Sequence, residues 1–153
     1  IGSLGQACRA AHDGVVTFAG EDGSGGLGVV IRTKEKFWYN NDWAYFKTIY
    51  WHLKTGSIKV SAGQEVKMGT IIAQCDNTGA STGSHLHFGL KPVVQGEQEW
   101  QWYNLEQDNG YFGAIDPKPY FNGFYAEDGR GWFDKLAEIA ALLKKVAELL
   151  ARK

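Results

Sequence analysis

Several features are scarce in this sequence of 153 residues, and each absence excludes a class of protein. No run of 18 uncharged apolar residues occurs, so the sequence predicts no transmembrane helix. Lys and Arg number 16 against 17 Asp and Glu, without a basic cluster, which argues against a nucleic-acid-binding protein. Charged residues make up only 22% and hydrophobic residues 44%, which excludes a disordered chain. With 3 Pro but 20 Gly and many aromatics, the composition favours short strands and tight turns.

Cysteine is equally scarce, since Cys8 and Cys75 are the only two. Two alternatives stay open for them: a pair of buried thiols, or one disulfide formed in an oxidising compartment. The chain begins at Ile1 rather than Met and carries no signal peptide, so we expect a processed product, a fragment or an engineered chain.

Short β-rich runs separated by turn residues follow one another through the first 120 residues, and they predict a mainly β fold: an antiparallel sheet, sandwich or barrel-like sheet. Two of the runs flank Asn40-Asn41-Asp42 and predict a long hairpin. The segment 95–114 is interpreted as an inserted loop or hairpin. The other predicted strands cover residues 15–19, 28–32, 57–60, 64–69, 70–75 and 85–90.

From residue 132 to residue 153 the pattern changes to that of an amphipathic α-helix. Apolar residues recur there at spacings of three and four, namely Phe133, Leu136, Ile139, Ala140, Leu143, Val146, Ala147 and Leu150. An isolated helix of this length is marginal in water, so we expect its apolar stripe to pack on its own domain, on a second copy or on a partner. We therefore divide the chain into a β domain at 1–122, a linker at 123–131 and a helix at 132–153.

Four histidines are the candidates for chemistry. His85 and His87 are two apart on a predicted strand, which places both rings on one face. Imidazole is a common zinc ligand, but an isolated His-x-His is a weak signal, and two half-exposed strand histidines are the alternative. His12 precedes the Asp13-Gly14 turn and is predicted to be a surface histidine.

The context of the histidines resembles that of the lysostaphin-type zinc endopeptidases, which cut peptide cross-links in bacterial cell walls. Residues 79–88 (GASTGSHLHF) are similar to the signature of that family, and residues 50–53 (YWHL) to its Tyr-x-His-Leu element. Residues 61–72 resemble its G-Q-x-V-x-x-G-x-x-I strand pair, and the segments 13–16 and 115–117 match elements near its beginning and end. The resemblance covers roughly residues 1–121 and implies a sheet of the duplicated, biotinyl- or lipoyl-like type.

The resemblance also implies site residues and a cofactor. His87 would be a ligand of zinc, while His52 and His85 would orient the attacking water, take its proton and stabilise the oxyanion. Tyr50, Thr82 and Ser84 would contact the peptidoglycan peptide. The implied location is extracellular or in the cell envelope.

One departure from the family is important. Its other two zinc ligands come from a His-x-x-x-Asp motif upstream of the segment that matches residues 1–5, and this sequence starts too late to contain it. Tight zinc binding needs several ligands in a fixed geometry, so we expect the chain as printed to be inactive. A makeshift site of His52, His85 and His87 is a minor alternative.

Two competing functions follow. A non-catalytic cell-wall-binding or structural subunit on the same fold would dock or oligomerise through the C-terminal helix. A lipoyl- or biotinyl-carrier domain would need a modified Lys at a hairpin tip, and Lys67 is not at a clear tip.

The aromatic clusters at 38–51 and 100–112 either line a substrate groove or anchor hairpins to the sheet.

Overall fold

A computed structural model of the chain describes residues 4–98, 101–120, 139–145, 148 and 150. Within these described residues nine strands follow one another, in agreement with the predicted fold class. They are β1 (Ala7–Arg9), β2 (Gly14–Asp22), β3 (Gly26–Arg32), β4 (Phe37–Tyr39), β5 (Asp42–Trp51), β6 (Glu65–Val66), β7 (Ile71–Gln74), β8 (His87–Gln95) and β9 (Trp102–Asn104). A 3-10 turn, Gly23–Gly25, joins β2 to β3.

The strands form a large antiparallel sheet and a small one. The large sheet has the order β6-β2-β3-β5-β8-β9, with β4 paired to β5, and the small sheet consists of β1 and β7. Among the described residues the large sheet runs from β6 at one edge to β9 at the other, so it is not a closed barrel. The hairpin β4–β5 turns at Asn40 and Asn41, whose φ values of 46° and 65° fit a turn with positive φ at both central residues.

The core lies on one face of the large sheet. Buried side chains of β2, β3 and β5 meet the small sheet there, because alternate residues of a strand point to the same side. Tyr50, Val29 and Ile31 are on this face and are at most 1% exposed.

The opposite face of the sheet carries the alternate residues and is termed the open face. On it Trp51 and Lys47 are half-buried and His87 is exposed, whereas Ile49 is buried. Trp51 and His87, which are register partners, lie at one end of this face.

Two predicted features are wrong in detail. Residues 57–60 form no strand. The segment is held by side-chain hydrogen bonds instead of strand pairing, because the Ser57 hydroxyl donates to the Lys54 carbonyl and accepts from the Gln74 N–H. His85 does not belong to a strand either, since β8 begins at His87. Of the loop or hairpin predicted for 95–114, the structure has a hairpin, in which residues 93–95 of β8 pair with β9, so its first strand lies mostly before residue 95.

The C-terminal helix is described only in part. Residues 139–145 are helical, as are 148 and 150, whereas the predicted linker at 123–131 and the rest of the predicted helix lie outside the described residues. The apolar side chains of Ile139, Leu143 and Leu150 are exposed. Association through this helix therefore stays a prediction. In the described part of the chain, no helix is long and apolar enough to cross a membrane.

The two cysteines are buried free thiols: Cys8 lies in β1, and Cys75 directly follows β7. Burial, and secondarily the nearby Cys75, raises the pKa of the Cys8 thiol to about 11. Because both thiols are buried, we expect them to resist an aromatic disulfide reagent in the native protein at neutral pH and to react at once in urea. Rapid labelling of the native protein, followed by absorbance, would contradict this expectation.

Candidate functional site

Three histidine rings come together at the end of β5 and β8. The ring centroid of His52 lies 4.7 Å from that of His85 and 5.7 Å from that of His87. His52 follows the last residue of β5, His87 is the first residue of β8, and His85 belongs to the loop before it. The antiparallel pairing of β5 with β8 thus brings together residues that are more than 30 positions apart.

The backbone at His52 is left-handed, with φ of 63°, which is uncommon for a residue with a Cβ and costs about 1 kcal/mol. Three contacts hold it there. Its N–H donates to the Gly25 carbonyl at 3.2 Å, its carbonyl accepts from the Asp76 N–H at 2.9 Å, and its ring Nδ1 lies 2.8 Å from the Thr78 carbonyl oxygen. The side chain of His52 is consequently buried and fixed.

Hydrogen bonds to carbonyl oxygens define the tautomers of two rings. A carbonyl oxygen can only accept, so Nδ1 of His52 carries the proton toward Thr78 and its Nε2 keeps a free lone pair. The same holds for His85, whose Nδ1 lies 2.8 Å from the Gly83 carbonyl oxygen. Both rings therefore present a basic Nε2, the atom that a general base requires.

His87 differs from the other two histidines. Within the described part of the chain its ring has no hydrogen-bond partner, and the residue is exposed. Burial, then His52, His85 and Lys91, lowers the pKa of His87, so its imidazole is neutral at physiological pH. A neutral imidazole is the form that binds a metal.

The residues that are present do not complete a metal site. Across the ranges the structure describes, no group of three or more His, Cys, Asp or Glu side chains is placed to hold a metal ion. Two of the three imidazoles use Nδ1 on carbonyl oxygens, which leaves their Nε2 atoms free. His87 can supply one ligand.

The predicted substrate-binding residues fall into two groups. Thr82 and Ser84 are exposed in the loop that leads to His85. Tyr50 is 1% exposed and points into the core, where its hydroxyl accepts from the Ala11 N–H at 2.8 Å and lies 3.1 Å from the Thr48 hydroxyl. In this position Tyr50 supports β5 from within and does not reach a peptide on the open face.

Thr78 is a site residue that the sequence reasoning missed. Its carbonyl holds His52, its hydroxyl donates to the Leu53 carbonyl at 2.6 Å, and the same hydroxyl accepts from the Leu27 N–H at 3.1 Å. Thr78 thereby ties the loop 77–84 to β3 and to the end of β5. No feature of the sequence indicates this role beyond the place of Thr78 in a loop rich in Gly, Thr and Ser.

His12 corrects a further expectation. It was predicted to lie at the surface, but it is 1% exposed, with Nδ1 2.8 Å from the Asp13 carbonyl oxygen and Nε2 3.0 Å from the Thr48 hydroxyl. It lies under the core face of the sheet, and burial lowers its pKa to about 4. His12 is therefore a core residue, although its place before the Asp13-Gly14 turn had suggested the surface.

Comparisons with known proteins agree with this geometry. The sequence model of Peptidase family M23 matches residues 2–99. Over 84 residues, the chain is 37% identical to the DD-carboxypeptidase/endopeptidase Mpg of Neisseria meningitidis serogroup B, a match that covers 55% of the chain and 17% of that protein. The chain therefore spans about a sixth of the length of the curated relatives of this type.

Two solved structures share the fold. The catalytic domain of the antimicrobial peptidase lysostaphin from Staphylococcus simulans superposes with a TM-score of 0.56 at 25% identity, covering 77% of this chain and 71% of that domain. The LytU structure gives a TM-score of 0.55 at 30% identity, with coverage of 79% and 68%.

Proposed function

Because the chain belongs to peptidase family M23, we propose that it is the peptidase domain of an enzyme that hydrolyses peptide cross-links of bacterial peptidoglycan. The observation that carries the proposal is the meeting of His52 and His85, whose ring centroids are 4.7 Å apart and whose basic Nε2 atoms are both defined by carbonyl contacts at Nδ1. The lysostaphin catalytic domain, a peptidase, has a similar fold. The proposed location is the cell envelope or outside the cell.

The two histidines have complementary tasks in this proposal. An Nε2 lone pair takes the proton from the water that attacks the scissile carbonyl carbon. The resulting imidazolium donates a hydrogen bond to the developing oxyanion and then gives its proton to the leaving amine nitrogen. His52 is fixed by Thr78, whereas the exposed His85 faces solvent. This makes His85 the proton-transfer residue, while His52 orients the attacking water by accepting a hydrogen bond from it at Nε2.

Zinc belongs to the proposal through His87 alone. In the family that the sequence resembles, a bound zinc polarises the scissile carbonyl, and His87 would be one of its ligands. The described residues do not supply the remaining ligands. That observation favours a second candidate, a non-catalytic domain that binds cell-wall peptide on the same face. Thr82 and Ser84, in the exposed loop beside His85, are the proposed peptide contacts in both cases.

One experiment separates the two candidates. The chain is incubated with purified peptidoglycan sacculi and equimolar zinc, and both newly formed amino groups and co-sedimented protein are measured. For a peptidase we expect amino-group release that falls at least about a hundredfold in His85→Ala, because general acid–base catalysis contributes factors of that size. Asn77→Ala, an exposed change in the same loop, is the matched control and should retain activity.

Each other outcome has a definite meaning. Co-sedimentation without amino-group release, unchanged in His85→Ala, would show that this chain binds cell-wall peptide and does not cut it. Release that persists in His85→Ala would refute the role of this residue. If the protein neither binds nor cuts sacculi, peptidoglycan is not its substrate.

A further inference from the structure

Three basic side chains form a row across the open face of the large sheet. In the register of β3 with β5, Arg32 is opposite Lys47, and in the register of β5 with β8, Lys47 is opposite Lys91. Directly opposite residues have their Cβ atoms about 5 Å apart, and like charges in that arrangement destabilise a sheet. A row of three cations on adjacent strands therefore needs a compensating interaction.

The described protein supplies no carboxylate for this row. Over the ranges that the structure describes, the ion pairs join Lys34 to Glu65 and Lys67 to Asp13, and none includes a member of the row. Burial lowers the pKa of all three groups, and Lys91 adds to the effect on Lys47. These cations are thus partly desolvated without a negative partner in the described part of the chain.

Hydrogen bonds satisfy the row only in part. Arg32 Nη1 donates to the Thr33 carbonyl at 2.8 Å, and Lys91 Nζ donates to the Phe112 carbonyl at 2.7 Å. The Nε of Arg32 is buried and has no hydrogen-bond partner among the described residues. Carbonyl groups orient these side chains, but they do not neutralise their charge.

Aromatic side chains hold Arg32 in place. Its guanidinium carbon lies 4.2 Å from the Trp102 ring centroid and 4.9 Å from that of Tyr45, and the two rings meet edge to face. Arg32, Lys47 and Trp102 line one cavity of about 250 Å³, together with the apolar side chains of Val30 and Val93. A cavity with apolar walls and two cations fits a ligand that has a small aliphatic part and an anionic group.

The cavity and the histidine cluster share one face of the sheet. His87 and Lys91 are four residues apart on β8, so their side chains point to the same side. Four residues of strand span about 13 Å, the length of about four residues of extended peptide. A peptide held with its scissile bond at the histidines can therefore reach the row with a group a few residues away.

We propose that Arg32, Lys47 and Lys91 form a subsite that binds a free carboxylate of a peptide ligand, with Trp102 as its aromatic wall. The subsite selects peptides whose carboxylate is ionised over those in which it is amidated. The inference rests on the proposed function only in taking the ligand to be a peptide. The charge row and the cavity do not depend on a metal or on hydrolysis.

The test measures binding and needs no catalysis. An N-acetylated pentapeptide of Ala and Gly that ends in D-Ala is titrated into the full chain by calorimetry, once as the free acid and once as the carboxamide. We expect the acid to bind at least about tenfold more tightly than the amide, because charge-assisted contacts to a carboxylate are lost on amidation. Added salt should reduce this preference.

Variants assign the preference to the row. Lys47→Gln should abolish the preference without unfolding the domain, since it removes a like-charge contact, and Lys47→Arg should retain it. Lys59→Gln, an exposed lysine outside the row, is the matched control for net charge. Because the measurement reads binding and not hydrolysis, failure of the catalytic proposal would be seen separately.

Three results would overturn the inference. They are equal affinity for acid and amide, no binding of either peptide, and equal losses in Lys47→Gln and Lys59→Gln.

Discussion

Replacing Gly79 by alanine should unfold the histidine site and destabilise the whole domain by about 3 kcal/mol or more. The φ of Gly79 is +75°, and a Cβ there would lie 2.3 Å from the Gly26 backbone nitrogen. The atoms that this Cβ would meet are backbone atoms of Gly25 and Gly26, which cannot rotate away as a side chain can. Either the loop that contains Gly79 or the turn that contains Gly25 and Gly26 must therefore move. The loop that moves carries the Thr78 carbonyl, and with it the contact that holds His52.

The same loop offers a matched control. A Cβ at Gly83 would meet nothing within 4 Å, so Gly83→Ala should change stability by less than about 1 kcal/mol. Urea unfolding measures both variants, and the ring nitrogen chemical shifts of His52 report its tautomer. If Gly79→Ala matched Gly83→Ala in both measurements, the crossing of the two loops would not be what holds the site.

This crossing explains a limit of sequence reasoning. The glycines at 25, 26 and 79 can be recognised as turn residues from the sequence, but the contact between their loops depends on tertiary structure. The family resemblance, by contrast, was sufficient to expect His52, His85 and His87 in one place, because its motifs name these positions. It did so although His85 proved to lie outside a strand.

The row of three basic side chains on the sheet is a second feature that sequence reasoning did not predict. Arg32, Lys47 and Lys91 are far apart in the sequence and belong to three different strands. Their alignment depends on two strand registers, which turn geometry and core packing fix and which a single sequence does not reveal. The absence of a basic cluster in the sequence was thus compatible with a cluster of cations on the surface of the sheet.

His12 leads to the second large effect, a loss of stability in mild acid. Its pKa is about 4 in the folded protein, against an ordinary value of 6.5 in the unfolded chain, because burial disfavours the charged ring. Between these two values the unfolded chain binds a proton that the folded protein does not. The stabilisation is therefore complete above pH 6.5 and is lost as the pH falls to 4, by about 3 kcal/mol in total.

The variant His12→Asn isolates this contribution. Its amide N–H can still donate to the Asp13 carbonyl, but it cannot titrate, so the variant should be less stable at pH 7 and should lose less stability toward pH 4 than the original protein. Urea unfolding at several pH values gives the change of the unfolding free energy with pH for both proteins. The contributions of the other three histidines cancel when the two are subtracted. Because an unstable variant would hide the effect, direct titration of the His12 ring by NMR provides the second measurement. A ring that titrates near pH 6.5 in the folded protein, or equal slopes in the two proteins, would show that the buried network of His12 and Thr48 does not exclude the proton.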